Sequence, residues 1–155
     1  AGLEWLGVGD NSFGGAADNK IHLAGAPPHL GVLALKDDAV RLVEPAGGFP
    51  AGLLVAGVSA TAQVLRTDAD NDKHAVHMTV GTLNMYVIRR ADRFALRVKD
   101  SKSQALREFQ GLRWYEPDAA YRVTAKWIPY NPGTKMTMLH MTGTSDEAPV
   151  TGVGG

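Results

Sequence analysis

Thr82-Leu-Asn-Met-Tyr-Val-Ile-Arg-Arg-Ala-Asp-Arg-Phe-Ala-Leu-Arg-Val-Lys-Asp100 is the stretch that decides the fold. Leu83, Met85 and Val87 share one face of an extended chain, and across a turn Phe94, Leu96 and Val98 do the same. Arg97 and Lys99 alternate with these apolar positions and therefore face the other way. The pattern is that of a hairpin of half-buried antiparallel strands with one polar face.

Working outward, Asp100 or Ser101 can cap a short helix over Ser101–Gln110. Leu106 and Phe109 would be its inner stripe, Gly111 its left-handed stop, and Leu112 would fold back onto Leu106. Tyr121, Val123, Ala125 and Trp127 then alternate against Arg122, Thr124 and Lys126, which predicts a further strand. Thr134–Met141 reads as a last strand. Upstream, Leu6–Gly15 reads as a loop, Lys20–Leu23 as a short strand, and Leu30–Leu35 with Val40–Val43 as a hairpin turning at Lys36–Ala39. Leu53–Arg66 supplies one or two strands broken near Gly57, Asp68–Lys73 a polar turn, and Ala75–Val80 another strand. Eighteen glycines and eight prolines punctuate these runs, as in all-β proteins.

The fold class expected is therefore mainly β, an antiparallel β-sandwich or flattened barrel with one short helix. Residues 1–141 would form a single β-rich domain and 142–155 a flexible C-terminal tail. The expected core is Leu33, Leu35, Leu42, Val87, Phe94, Leu96, Val98, Leu106, Phe109, Val123 and Trp127.

Sixteen basic and sixteen acidic residues cancel, so no net field draws the chain to nucleic acid or a membrane surface. The chain has no cysteine, which removes disulfides, thiolate metal sites and cysteine nucleophiles from consideration. No run reaches the roughly 20 apolar residues of a membrane-spanning helix, and Ala1–Trp5 lacks the pattern of a signal peptide. The expectation is a soluble protein whose compartment the sequence leaves open.

Each candidate chemistry has a competing structural explanation. Asp68, Asp70 and Asp72 imitate the start of a calcium loop, but Lys73 stands where glycine is needed and Thr79 where a bidentate Glu is needed. His74 and His77 point to opposite faces if Ala75–Val80 is a strand. Met136, Met138 and His140 form a soft-ligand set for copper(I), although methionine more commonly fills cores. No metal or cofactor is expected. Nucleophile elbows, acylating motifs and phosphate loops are lacking, and Gly7-Val8-Gly9 does not complete a dinucleotide fingerprint. Asp100, Glu108, Glu116 and Asp118 could supply paired carboxylates, yet nothing fixes their separation.

A basic and aromatic group is the strongest functional signal: Arg89, Arg90, Arg93, Arg97, Lys99, Arg113, Trp114, Tyr115 and Arg122. An exposed sheet face carrying some of these can hold an anion through guanidinium contacts and stacking. Asp92, Asp100, Glu108, Glu116 and Asp118 are the available counter-charges.

The run Arg97, Asp100, Phe109, Gly111, Leu112, Trp114, Tyr115, Asp118, Tyr121, Arg122 and Val123 resembles an uncharacterised microbial family, catalogued as domain of unknown function number sixteen eighty-four. Family members share the order of an arginine-bearing strand, a short helix ending in Phe-x-Gly-Leu, an aromatic pair and Asp-x-x-Tyr-Arg-Val. The resemblance is specific over Leu96–Trp127 and implies a β-rich fold with an unassigned role. Ser103-Gln104 departs from the usual Ser-Pro, and members continue into a second, Asp-, Tyr- and Asn-rich half. Asn19–Gly25 with the hairpin Leu30–Val43 is similar to a forkhead-associated domain, but Gly9-Asp10 and His29 do not supply its phosphothreonine-reading residues.

The reading that follows is a non-catalytic ligand-binding or interaction module, with Arg97, Lys99, Arg122 and Tyr115 as the ligand-binding residues. Its partner would be a small anionic ligand or a protein, and neither nucleic acid nor membrane is expected. The alternatives are a hydrolase-like enzyme using surface carboxylates and a domain that assembles, for instance as a homodimer, through sheet edges.

Overall fold

The computed structural model describes residues 2–70, 74–131, 134–139 and 145–154. Strands make up 45% of it and helix 5%, placing the protein in the mainly β class with antiparallel sheets. The chain divides into two compact units, Ala1–Phe109 and Gln110–Gly155.

The first unit holds β1 (Gly2–Trp5), β2 (Gly9–Gly14), β3 (Ile21–His22), β4 (Gly31–Lys36), β5 (Ala39–Val43) and β6 (Leu54–Val55). It continues with β7 (Val58–Ser59), β8 (Gln63–Leu65), β9 (Met78–Val80), β10 (Leu83–Arg90), β11 (Arg93–Asp100) and helix α1 (Gln104–Arg107). One sheet runs β1-β11-β10-β9-β6-β7 and the other β3-β2-β4-β5-β8. All pairings are antiparallel except β2 with β3. Each sheet turns its apolar positions inward. Leu33, Leu42 and Phe13 from one, and Met78, Met85, Val87 and Leu96 from the other, join in one buried cluster. That is a β-sandwich.

Turn chemistry explains the hairpins. Asp37 and Asp38 both take positive φ between β4 and β5, the signature of a two-residue type I′ loop that aspartate tolerates. Ala56 and Gly57 do the same between β6 and β7. Between β10 and β11, Ala91 takes φ +54°, so that Arg90 lies opposite Arg93. Every pair along the two strands follows from that turn, and Tyr86 meets Arg97 and Asn84 meets Lys99.

The chain from Gly9 to Gly14 is a strand, within the span read above as a loop. Its buried residues are Asn11, Phe13 and Gly14. Asn11 can replace an apolar side chain because its amide is fully engaged. Gly7 N–H donates to Oδ1 at 2.9 Å, and Nδ2 donates to the carbonyls of Gly7, Gly9 and Leu33 at 2.8, 3.0 and 3.0 Å. These bonds pin the crossing by which the chain passes from β1 in one sheet to β2 in the other.

The expected core holds for Leu33, Leu35, Leu42, Val87, Phe94, Leu96 and Val98, all buried, and fails for Leu106, Phe109, Val123 and Trp127, all exposed. The helix is a single turn, Gln104–Arg107, capped by Ser103 Oγ and burying no residue. Its stripe of two apolar residues is too narrow to make docking favourable over solvation. Leu112, expected to fold back onto it, is exposed.

The second unit contains a 3-10 turn at Ala119–Tyr121, and strands β12 (Trp127–Pro129), β13 (Lys135–Leu139), β14 (Ser145–Pro149) and β15 (Gly152–Gly154). β12 pairs with β15 and β13 with β14. The strand expected over Tyr121–Trp127 is absent, because only Trp127 of that span finds a ladder partner. Alternation of side chains without a strand to pair with buries nothing, and Tyr121 and Val123 are 84% and 82% exposed. β14 and β15 occupy part of the span read above as a flexible tail.

Candidate functional site

The face of the β1-β11-β10 sheet that turns away from the core is set by the hairpin register. β11 contributes Arg93, Ala95, Arg97 and Lys99, while β10 contributes Asn84, Tyr86, Ile88 and Arg90. β1 adds Leu3 opposite Arg97 and Trp5 opposite Ala95, and β9 adds Thr79 opposite Asn84. Among the described residues of these strands, this face carries four cations and no carboxylate. The chain as a whole is neutral, so the separation of charge is local.

The four cations differ in what satisfies them. Arg90 Nη1 pairs with Asp68 Oδ2 at 2.8 Å. The Arg93 guanidinium lies over the Trp5 ring, 3.9 Å from its centroid. Arg97 is exposed and has no hydrogen bond or ion pair among the described residues. Lys99 is exposed too, with no ion pair among the described residues, and its Nζ lies 5.3 Å from the centroid of the Tyr86 ring. As residues i and i+2 of one strand, Arg97 and Lys99 stand about 7 Å apart. An anion between them would meet two donors that no acid among the described residues of the first unit occupies.

The neighbouring arginines are accounted for differently. Arg89 pairs with Asp38 at 2.5 Å, and its backbone N–H donates to Asp68 Oδ1 at 3.0 Å. The acids that compensate the hairpin are thus Asp38 and Asp68, not the Asp92, Asp100, Glu108, Glu116 and Asp118 expected above. Asp68 spends both carboxylate oxygens on Arg89 and Arg90, which makes it an anchor for its turn. Asp72 and Lys73 of the calcium-like loop lie outside the described residues, as does His140 of the Met136-Met138-His140 set. Met136 and Met138 are exposed on β13. No group of three or more His, Asp or Glu among the described residues is placed to hold a metal.

A cavity of about 370 Å³ opens at the Lys99 end of this face, lined by His77, Thr82, Asn84, Lys99, Asp100, Ser101 and Leu106. His77 Nδ1–H donates to Asn84 Oδ1 at 2.7 Å, and its ring lies 4.6 Å from that of Tyr86. Asp100 accepts from the Lys102 amide at 2.9 Å. The Thr82 hydroxyl and then that amide hold the Asp100 carboxyl below the usual carboxylate range, with Arg107 a smaller influence.

Arg97 and Lys99 therefore share one face of the first unit, while Tyr115 and Arg122 belong to the second. Tyr115 is fully exposed and lines a hollow of about 560 Å³ with Glu116, Asp118 and Tyr121. Two carboxylates there disfavour an anion beside Tyr115. Trp5, His77, Asn84 and Tyr86 were not among the candidate binding residues. Tyr86 could have been found from the turn at Ala91-Asp92, which forces it opposite Arg97.

The site thus sits on the two-sheet, mainly antiparallel first unit, and no helix among the described residues is long and apolar enough to cross a membrane. No family model, no curated protein and no solved structure matches the chain.

Proposed function

We propose that this protein is a non-catalytic binding module that holds an anionic group on the outward face of its long hairpin, through Arg97 and Lys99. The observation that supports it is the pair of exposed cations with no acidic partner among the described residues, on strands whose outward positions carry no carboxylate. Guanidinium and ammonium groups with no acid beside them are available donors, and charge-assisted bonds are stronger than bonds between neutral groups. A kinship with the uncharacterised microbial family is part of this proposal, in which the arginine-bearing strand of that family's pattern would fall on β11. Arg122 and Tyr115, grouped with the hairpin cations by sequence, are kept as residues whose membership is tested separately.

The test is calorimetric titration of the whole chain with inorganic phosphate at low and physiological ionic strength. Binding should weaken with salt, since exposed charges are screened over about 8 Å at 0.15 M. It should fall at least tenfold in Arg97→Ala, tenfold being about 1.4 kcal/mol. Phosphate affinity unchanged in both Arg97→Ala and Lys99→Ala would reject the site. Arg122→Ala and Tyr115→Ala run alongside, and a loss in either assigns that residue to the site.

A further inference from the structure

We infer that the anionic ligand is a phosphate ester of a hydroxyl-bearing molecule, with its phosphate on Arg97 and Lys99 and its hydroxyls in the cavity at the end of β11. This rests on the anion-binding reading and adds the chemistry of the ligand's other end. Lys99 joins the two regions: it shares the outward face with Arg97 and also lines the cavity. A phosphate held by the pair leaves the group it is esterified to at the cavity mouth.

The cavity's chemistry is unlike that of the face. Lys99 is the only cation of its lining, and beyond it the wall is His77, Asn84, Thr82, Ser101, Asp100 and the apolar Leu106. Asp100 is ionised at neutral pH, its carboxyl held low by the Thr82 hydroxyl and the Lys102 amide. An ionised carboxylate only accepts, so it repels a second phosphate and favours a hydroxyl or amino donor. Because His77 Nδ1–H is given to Asn84 Oδ1, His77 Nε2 is left as an acceptor and the Asn84 Nδ2 hydrogens as donors. Donors and acceptors side by side without a second positive charge match several hydroxyls rather than another anion. A volume of about 370 Å³ lies near the lower end of the roughly 300–1,000 Å³ of small-molecule sites. It suits one sugar or nucleoside.

Sugar phosphates and nucleotides share this chemistry, and the experiment separates them. The whole chain is titrated by calorimetry with inorganic phosphate, ribose 5-phosphate and AMP. Ribose 5-phosphate is expected to bind at least tenfold more tightly than phosphate. Asp100→Asn should bring that ratio close to one while leaving phosphate affinity equal or slightly improved. The amide oxygen of this variant still accepts from Lys102, and Asn84→Ala serves as a second probe of the same ratio should Asp100→Asn unfold. Arg97→Ala should weaken both ligands together. AMP tighter than ribose 5-phosphate supports the inference with a nucleotide as the source, and AMP weaker supports it with a free sugar phosphate. Equal affinities for phosphate and ribose 5-phosphate, or a ratio that survives both cavity variants, overturn the inference and leave the anion site standing. No phosphate binding at all overturns both.

Discussion

Asn11→Ala tests the joint that holds β1, and with it Trp5 and Leu3, against the rest of the sandwich. The Asn11 amide is almost completely buried and makes four bonds, of which that to Leu33 O is itself buried and the others partly so. Removing it deletes the buried bond to the Leu33 carbonyl, worth about 0.5–1.5 kcal/mol. The three half-buried bonds to Gly7 and Gly9 add roughly 0.5–1 kcal/mol each, because water can replace part of each. The expected loss is therefore about 2–4.5 kcal/mol, a large share of the roughly 5–15 kcal/mol that holds a domain folded. Urea denaturation with the slope checked for constancy measures it.

Asn11→Asp sharpens the argument. It keeps an acceptor for Gly7 N–H but turns a carboxylate oxygen toward three carbonyls. The charged form is then disfavoured, so the folded pKa of the new carboxyl lies above its unfolded value of about 3.9. The penalty is absent below the unfolded value and grows as pH rises through the folded one. Asn11→Asp should lie nearest to wild type at about pH 4 and furthest below it at neutral pH. A loss under about 1 kcal/mol in Asn11→Ala, or a pH-independent deficit in Asn11→Asp, would refute this account of the joint.

Two further variants probe the periphery. Phe109→Ala should change stability by no more than about 0.5 kcal/mol, as for other surface positions, whereas Leu33→Ala at zero exposure should cost about 2–5 kcal/mol. Equal losses in thermal unfolding would contradict this placement of the helix. Asp68→Ala should cost about 1–2 kcal/mol, since it removes the acceptor of the Arg89 amide and the half-exposed Arg90 pair. Calcium should leave the wild-type midpoint unchanged, and a calcium-dependent rise that Asp68→Ala abolishes would restore the metal reading.

The parts of the fold visible in sequence are those where pattern and partner coincide. Leu83–Asp100 alternates cleanly and folds on itself across two residues, so its strands carry their own partners. Tyr121–Trp127 alternates as well, but its partner strand is at Gly152–Gly154 and reaches only Trp127–Pro129. Nothing within those seven residues encodes that distant, short pairing. β2 was hidden for the opposite reason. Gly9-Asp-Asn-Ser-Phe-Gly14 looks like a loop because one of its two inward anchors is an asparagine. Its suitability for burial depends on carbonyls supplied by Gly7, Gly9 and, through the sheet, Leu33.

The candidate site was half legible for a related reason. Arg97 and Lys99 are assigned to one face by alternation alone, but which acids reach which arginines depends on long-range packing. Asp38 and Asp68 lie 51 and 22 residues from the arginines they pair with, and sequence proximity had suggested Asp92 and Asp100. Charge balance over the whole chain is therefore a poor guide to any one face. The pairing of Arg89 and Arg90 leaves Arg97 and Lys99 without an acid, and this exception carries the functional argument. On the proposed reading, the anion that answers both cations comes from outside.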